Sequence, residues 1–259
     1  MTELRRNKDR ERWKLGPKFD AYLGLHFRIM YQFYGMVLLY ALFYGAMIAM
    51  DVRTSAGPEL EYFFLYLLLF AVAELVGWYP RLCKESLYDS GAMLYMSIPV
   101  TSFETVLAKV IAGAVGFLIP MLVLGFYLFI SLMESETAFL KTATFLRGWG
   151  FTSETMTAGA LLAIWVIAVL CVGAAAASLL AFAIGNRYRG RFSRWLKWII
   201  SVAVMLLLFA LAGGALWLVW LMTFMPVLVR LLLIMAAAIV LSVVLVRLNV
   251  AVLEKWYAI

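Results

Sequence analysis

Charge is scarce in this chain: only 14% of its 259 residues are charged, and it holds two cysteines, six prolines and one histidine. Each scarcity excludes something. A soluble domain carries about a quarter of its residues as charges, so the shell that would keep this chain in water is missing. The single imidazole, His26, excludes zinc chemistry of the H-E-x-x-H kind, which needs two imidazoles on one helix face. His26 is expected instead as an interfacial side chain at the membrane edge. Cys83, near the expected inner face, and Cys171, within the expected fourth span, lie on different elements, and the first faces a reducing compartment, so both are expected as free thiols. A phosphate loop is missing too. The nearest match, with Gly185 and Gly190, has Arg191 and Phe192 where Lys and a hydroxyl are required, and no strand precedes it.

What the chain does have is apolar length, with 66% hydrophobic residues. Its apolar residues fall in long runs, so the solvent for most of the chain is lipid, where only helices or a closed barrel satisfy the backbone. A barrel strand would alternate with period 2. Stretches 202–212 and 231–245 are apolar on every side instead, which selects an all-α, polytopic membrane fold. Windows of about 19 residues predict six transmembrane helices, at 29–50, 62–78, 110–132, 157–184, 198–217 and 226–246. The linker 218–225 between the last two is short and uncharged; were it buried, the pair would form a hairpin with a shallow re-entrant turn.

Of the 22 Lys and Arg, all but Arg53, Lys141, Arg147 and Arg230 fall on one side of this arrangement. That side is the cytoplasm, because Lys and Arg resist translocation, so both termini are expected inside a multi-pass protein of the cell membrane. The net charge of +7 then faces anionic lipid of the inner leaflet, and nucleic acid is not an expected partner. No cleaved signal is expected, since the first apolar run is too long and its leader mixes Glu3, Asp9 and Glu11 among the basic residues. The whole of 1–259 reads as one membrane domain: a basic N-terminus to residue 28, a six-helix region at 29–246 and a cytoplasmic tail at 247–259.

Some stretches do more than span. Phe19, Tyr22, Leu23, Phe27 and Met30 recur at helical spacing opposite Asp20, Gly24 and Arg28, which predicts an amphipathic helix in the inner interface, opened by Pro17. The cytoplasmic segment 79–109 is longer than a connector needs to be. Pro80 ends the second span, Leu87, Gly91, Leu94 and Ile98 form a stripe, and Pro99 breaks the pattern. Thr101 or Ser102 can then cap a new helix opened by Glu104. Glu74, the acidic residue inside a span, is either a contact in a translocation path or half of a salt bridge at the inner interface. Gly173, Ala177 and Ala181, beside Ala174 and Ser178, make small-residue ridges for close helix packing, and Pro120 is expected to kink its helix. In the outer loop 133–156, Phe139, Phe145, Trp149 and Phe151 read as interfacial belt residues or as a lid.

The run from Glu85 through Asp89, Ser90, Gly91, Ser97, Ile98, Pro99 and Val100 to Glu104 and Lys109 resembles the first cytoplasmic loop of type-2 ABC exporter permeases. Two features differ from that family: Ser90-Gly91 stands where Gly-Thr is frequent, and the 218–225 linker is short. The resemblance implies six spans with inside termini, and a coupling helix that fits a cleft of a separate ATP-hydrolysing subunit. It also implies Arg81, Lys84, Glu85, Leu87, Asp89, Gly91, Leu94 and Pro99 as coupling residues. ATP and magnesium would sit on that partner, with no cofactor on this chain. Six helices are half of such a transporter, so a second copy of the chain is a further expected partner. The cargo would be amphipathic, a peptide, lipid or drug-like molecule, meeting walls rich in Leu, Phe, Trp and Met. The other classes considered are an unpowered membrane protein, such as a scramblase or an accessory or immunity subunit, and an intramembrane enzyme. The last needs convergent polar groups within the spans, where Glu74 stands nearly alone.

Overall fold

A computed structural model describes residues 15–54, 101–134, 144, 147, 148, 150–186, 194–222 and 225–257. Among them there is no strand. Five long helices follow in order: α1 (Phe19–Thr54), α2 (Ser102–Glu134), α3 (Ser153–Asn186), α4 (Arg194–Trp220) and α5 (Val227–Tyr257). Among the described residues, three stretches are long and apolar enough to cross a membrane: Ser102–Val123, Thr157–Ile184 and Val227–Lys255. A shorter apolar stretch, Ile199–Ala215, lies within α4. The expected second span at 62–78 lies outside the described residues.

Local chemistry sets the helix ends. Gly16 and Pro17 precede α1, where the Phe19 N–H donates to the Gly16 carbonyl and Asp20 lies in the positive first turn. The stretch 19–28, expected as a separate interfacial helix, is continuous with 29–50 in one helix of 36 residues. At about 1.5 Å per residue that is about 54 Å, far more than the ~30 Å of hydrocarbon, so α1 extends well past one interface if it spans. α3 opens on a reciprocal pair of threonines. The Thr152 N–H donates to Thr155 Oγ1 at 2.9 Å, and the Thr155 N–H returns to Thr152 Oγ1 at 3.4 Å. α2 runs unbroken through Pro120. α4 and α5 are joined by a short turn around exposed Leu221, Met222 and Pro226, so the hairpin linker is not buried at those positions.

The largest core cluster joins the first halves of α1 and α2 to the second halves of α3 and α5. It contains Met30; Val106, Val110 and Phe117; Cys171 and 175–177; Leu245, Val250 and Leu253; and Met205 of α4. Helices α1 and α2 therefore run parallel to each other and against α3 and α5. The small residues chosen from sequence lie in this cluster or beside it: Gly173, Ala177, Ser178 and Ala181 are buried, and Ala174 is half-buried. Lipid tails are as apolar as Leu, so close packing of small side chains, rather than escape from water, holds such helices together. The first half of α3 contrasts with the second: Leu161, Ile164 and Trp165 are exposed. Cys171 is a buried thiol outside any disulfide.

Candidate functional site

The polar chemistry of the described residues gathers where α2 begins. Thr101 caps the helix: its N–H donates to Glu104 Oε2 at 2.7 Å, and the Glu104 N–H donates to Thr101 Oγ1 at 3.2 Å. This is the reciprocal S/T-x-x-E arrangement that satisfies two donors otherwise lost at a helix start. The Thr101 hydroxyl adds a third contact to the same carboxylate oxygen, at 3.1 Å. Of the two capping residues the sequence allowed, Thr101 is the one used.

Glu104 does more than cap. Its other oxygen, Oε1, accepts the backbone N–H of Gly16, 88 positions earlier. The carboxylate is 2% exposed, so both oxygens are occupied by donors in a dry setting. Gly16 suits the approach because a Cβ there would stand 3.1 Å from Glu104 Oε1. One side chain thus ties the residues entering α1 to the first turn of α2.

The tie opens a seam between the two helices. Phe19 and Tyr22 pack on Ala108, flanked by Leu23, Leu107 and Ile111. His26 is fully buried next to Tyr22, with ring centroids 4.6 Å apart, and its Nδ1–H donates to the Tyr22 carbonyl at 3.0 Å. His26, expected as an interfacial side chain, is thus turned into the protein interior. The residue recurs on the same stripe as Phe19, Tyr22 and Met30, and that stripe faces α2. Burial, with the Lys109 cation nearby, pushes His26 down to about 4 against the backbone bond that favours its charged form, so the ring is neutral at pH 7. Lys109 itself is 1% exposed. Further along, the Tyr34 hydroxyl donates to the Ala112 carbonyl at 2.9 Å.

A second seam joins α3 and α5. Asn249 Nδ2 donates to the carbonyls of Ala176 and Leu245, each at 2.8 Å. The Ser242 hydroxyl donates to Ala238 at 2.8 Å and stands 3.0 Å from where a Cβ on Gly173 would be. At the opposite end of the bundle from Glu104, buried Arg230 of α5 reaches the turn before α3, 3.4 Å from a Cβ position on Gly150. Beside this seam, α3, α4 and α5 enclose an apolar cleft of about 250 Å³ whose lining includes Gly173, Ala177, Phe209, Gly213 and Leu241. Ser242 is its one polar side chain, so the cleft offers dispersion contacts and no charge.

The residues singled out for coupling, Arg81, Lys84, Glu85, Leu87, Asp89, Gly91, Leu94 and Pro99, lie outside the described residues, as does Glu74. So do Phe139, Phe145 and Trp149, whereas Phe151 is described, its ring packed on Gly159. Sequence reasoning missed Tyr34, Ser242 and Asn249. One signal was present, since Ser242 and Asn249 are seven apart, in a run that is apolar but for Arg247, and so share a helix face. No protein-family model, curated protein or solved structure matches this chain.

Proposed function

We propose that this protein is the membrane subunit of an ATP-driven exporter, working as a homodimer with a separate ATPase on its cytoplasmic face. The observation that carries the reading is the placement of Thr101. The 81–99 segment, which carries the resemblance to a coupling loop, leads within two residues into the capped and buried start of α2. A load applied to that segment therefore meets a seated helix end. The bundle end concerned is also the basic one, with Lys18, Arg28, Lys109, Arg194, Lys197, Arg247 and Lys255, while Arg53, Arg147 and Arg230 lie towards the other. Such a bias marks a cytoplasmic face. The parallel course of α1 and α2 supports a multi-pass chain: residue 54 ends at one end of the pair and residue 101 begins at the other.

In this reading, closure of the ATPases presses the 81–98 segment against the membrane helices and shifts the inner cavity towards the outside. The cargo is an amphipathic peptide, lipid or drug-like molecule. Glu85 and Asp89 supply acidic contacts to a basic site on the ATPase, within an otherwise basic cytoplasmic face. Replacing both with Lys should abolish co-purification of the ATPase and uncouple hydrolysis from transport in proteoliposomes, with the folded yield unchanged. Retained assembly and retained transport-coupled hydrolysis in that variant would exclude the coupling role. Cargo or lipid movement that needs no ATPase would favour an unpowered scramblase instead.

A further inference from the structure

We infer that Glu104 is a positioning residue that makes the start of α2 and the entry to α1 move as one body, so that a push on the coupling segment reaches both helices. The inference rests on the exporter reading above and adds to it the joint through which motion is passed on.

The geometry carries it. A capping box needs only one carboxylate oxygen, and in Glu104 that oxygen, Oε2, takes the Thr101 N–H and hydroxyl. The second oxygen is not needed for the cap, yet it accepts the Gly16 N–H from another part of the chain. Two backbone segments 88 residues apart thus hang on one carboxylate, at a site 2% exposed to water. Gly16 has no side chain in the way, and Pro17 follows immediately, so the donor is held on a stiff stretch of backbone. Beyond the tie, Phe19 and Tyr22 close on Ala108, which makes the joint the first contact of a continuous seam rather than an isolated bond. A load on residue 99 would otherwise pull α2 alone; through Glu104 it also pulls the amphipathic start of α1.

Two substitutions separate the joint from the cap. Glu104→Ala removes the joint and the carboxylate half of the cap, leaving the backbone N–H of residue 104 on Thr101 Oγ1. Gly16→Pro removes the long-range donor and crowds Glu104 Oε1, while the Thr101 N–H and hydroxyl still have Oε2 to meet. Glu104→Gln keeps an amide oxygen that can accept one of the two sets of donors, and it serves as the conservative variant. In the full chain in nanodiscs, hydrogen exchange of the peptide containing Gly16 should speed up by roughly tenfold or more in Glu104→Ala, as loss of a charge-assisted bond implies. It should speed up less in Glu104→Gln. In proteoliposomes with the ATPase partner, Glu104→Ala and Gly16→Pro should lower cargo moved per ATP hydrolysed while basal hydrolysis and ATPase binding stay at the wild-type level, and Glu104→Gln should partly restore the ratio. Unchanged exchange at Gly16 in Glu104→Ala would remove the tie itself. Faster exchange with an unchanged transport-to-hydrolysis ratio in both variants would make the tie structural only and overturn the inference. A wild-type chain that neither binds an ATPase nor moves cargo would overturn the exporter reading and the coupling role with it, while the exchange result would still decide whether the tie exists.

Discussion

His26 shows how a single residue can turn pH into stability. Its ring is fully buried and held neutral, with a value near 4 against 6.5 for a free imidazole. Between those values the unfolded chain binds a proton that the folded chain refuses, so stability rises with pH across this window. The contribution is complete above about pH 6.5 and is lost progressively as pH falls towards 4, by up to about 3 kcal/mol in total. Thermal unfolding in detergent at pH 7.5 and pH 5 should show a lower Tm at the acid end. His26→Gln, which cannot titrate, should reduce that difference. An equal acid shift in both proteins would assign the effect to other groups.

Among the elements, the α3–α5 pair is set by small residues and two polar side chains. Among the buried positions of α5, Val227, Leu231, Ile234, Ala238, Ser242, Leu245, Asn249 and Leu253 recur every three or four residues and form one stripe facing the bundle. Gly173 lets that stripe approach α3, because a methyl there would stand 3.0 Å from Ser242 Oγ. Gly173→Ala should therefore cost about 1 kcal/mol through crowding, and Ser242→Ala about 0.5–1 kcal/mol through the lost bond. The double variant should cost less than the two singles together, since removing the hydroxyl makes room for the methyl. Reversible unfolding in mixed micelles measures this coupling, and strict additivity would mean that the two residues do not press on each other.

At the scale of the whole molecule, the bundle has two distinct ends. The starts of α1 and α2 share one, where Glu104 accepts from Gly16. The starts of α3 and α5 share the other, where Arg230 meets the turn at Gly150. Single cysteines at Lys18 and Lys255, in a background lacking Cys83 and Cys171, should thus be labelled from the same side of the membrane. Cysteines at Thr152 and Leu221 should be labelled from the opposite side. With the basic residues as guide, impermeant reagent added to intact cells should reach Thr152 and Leu221 only. Labelling of Lys18 and Thr152 from one side would break the parallel pairing of α1 with α2 and the antiparallel run of α3.

The sequence by itself determined the helical class, the apolar stretches at 110–132, 157–184 and 226–246 and the helix starts near Pro17, at Thr101 or Ser102, and near Pro226, because these follow from local composition and backbone chemistry. It also marked the faces that pack: the stripe of Phe19, Tyr22 and Met30, and the small residues around Gly173, need only helical periodicity. It could not say what those faces meet. Whether 19–28 lies apart or continues into 29–50 depends on whether a neighbour covers the stripe, and α2 does. Only the tertiary structure decided that Glu104 reaches Gly16, that Asn249 crosses to Ala176 and that His26 and Lys109 are buried. Periodicity fixes an angle around one helix axis, whereas a bond between residues 88 or 73 apart depends on how two axes are placed and in what register.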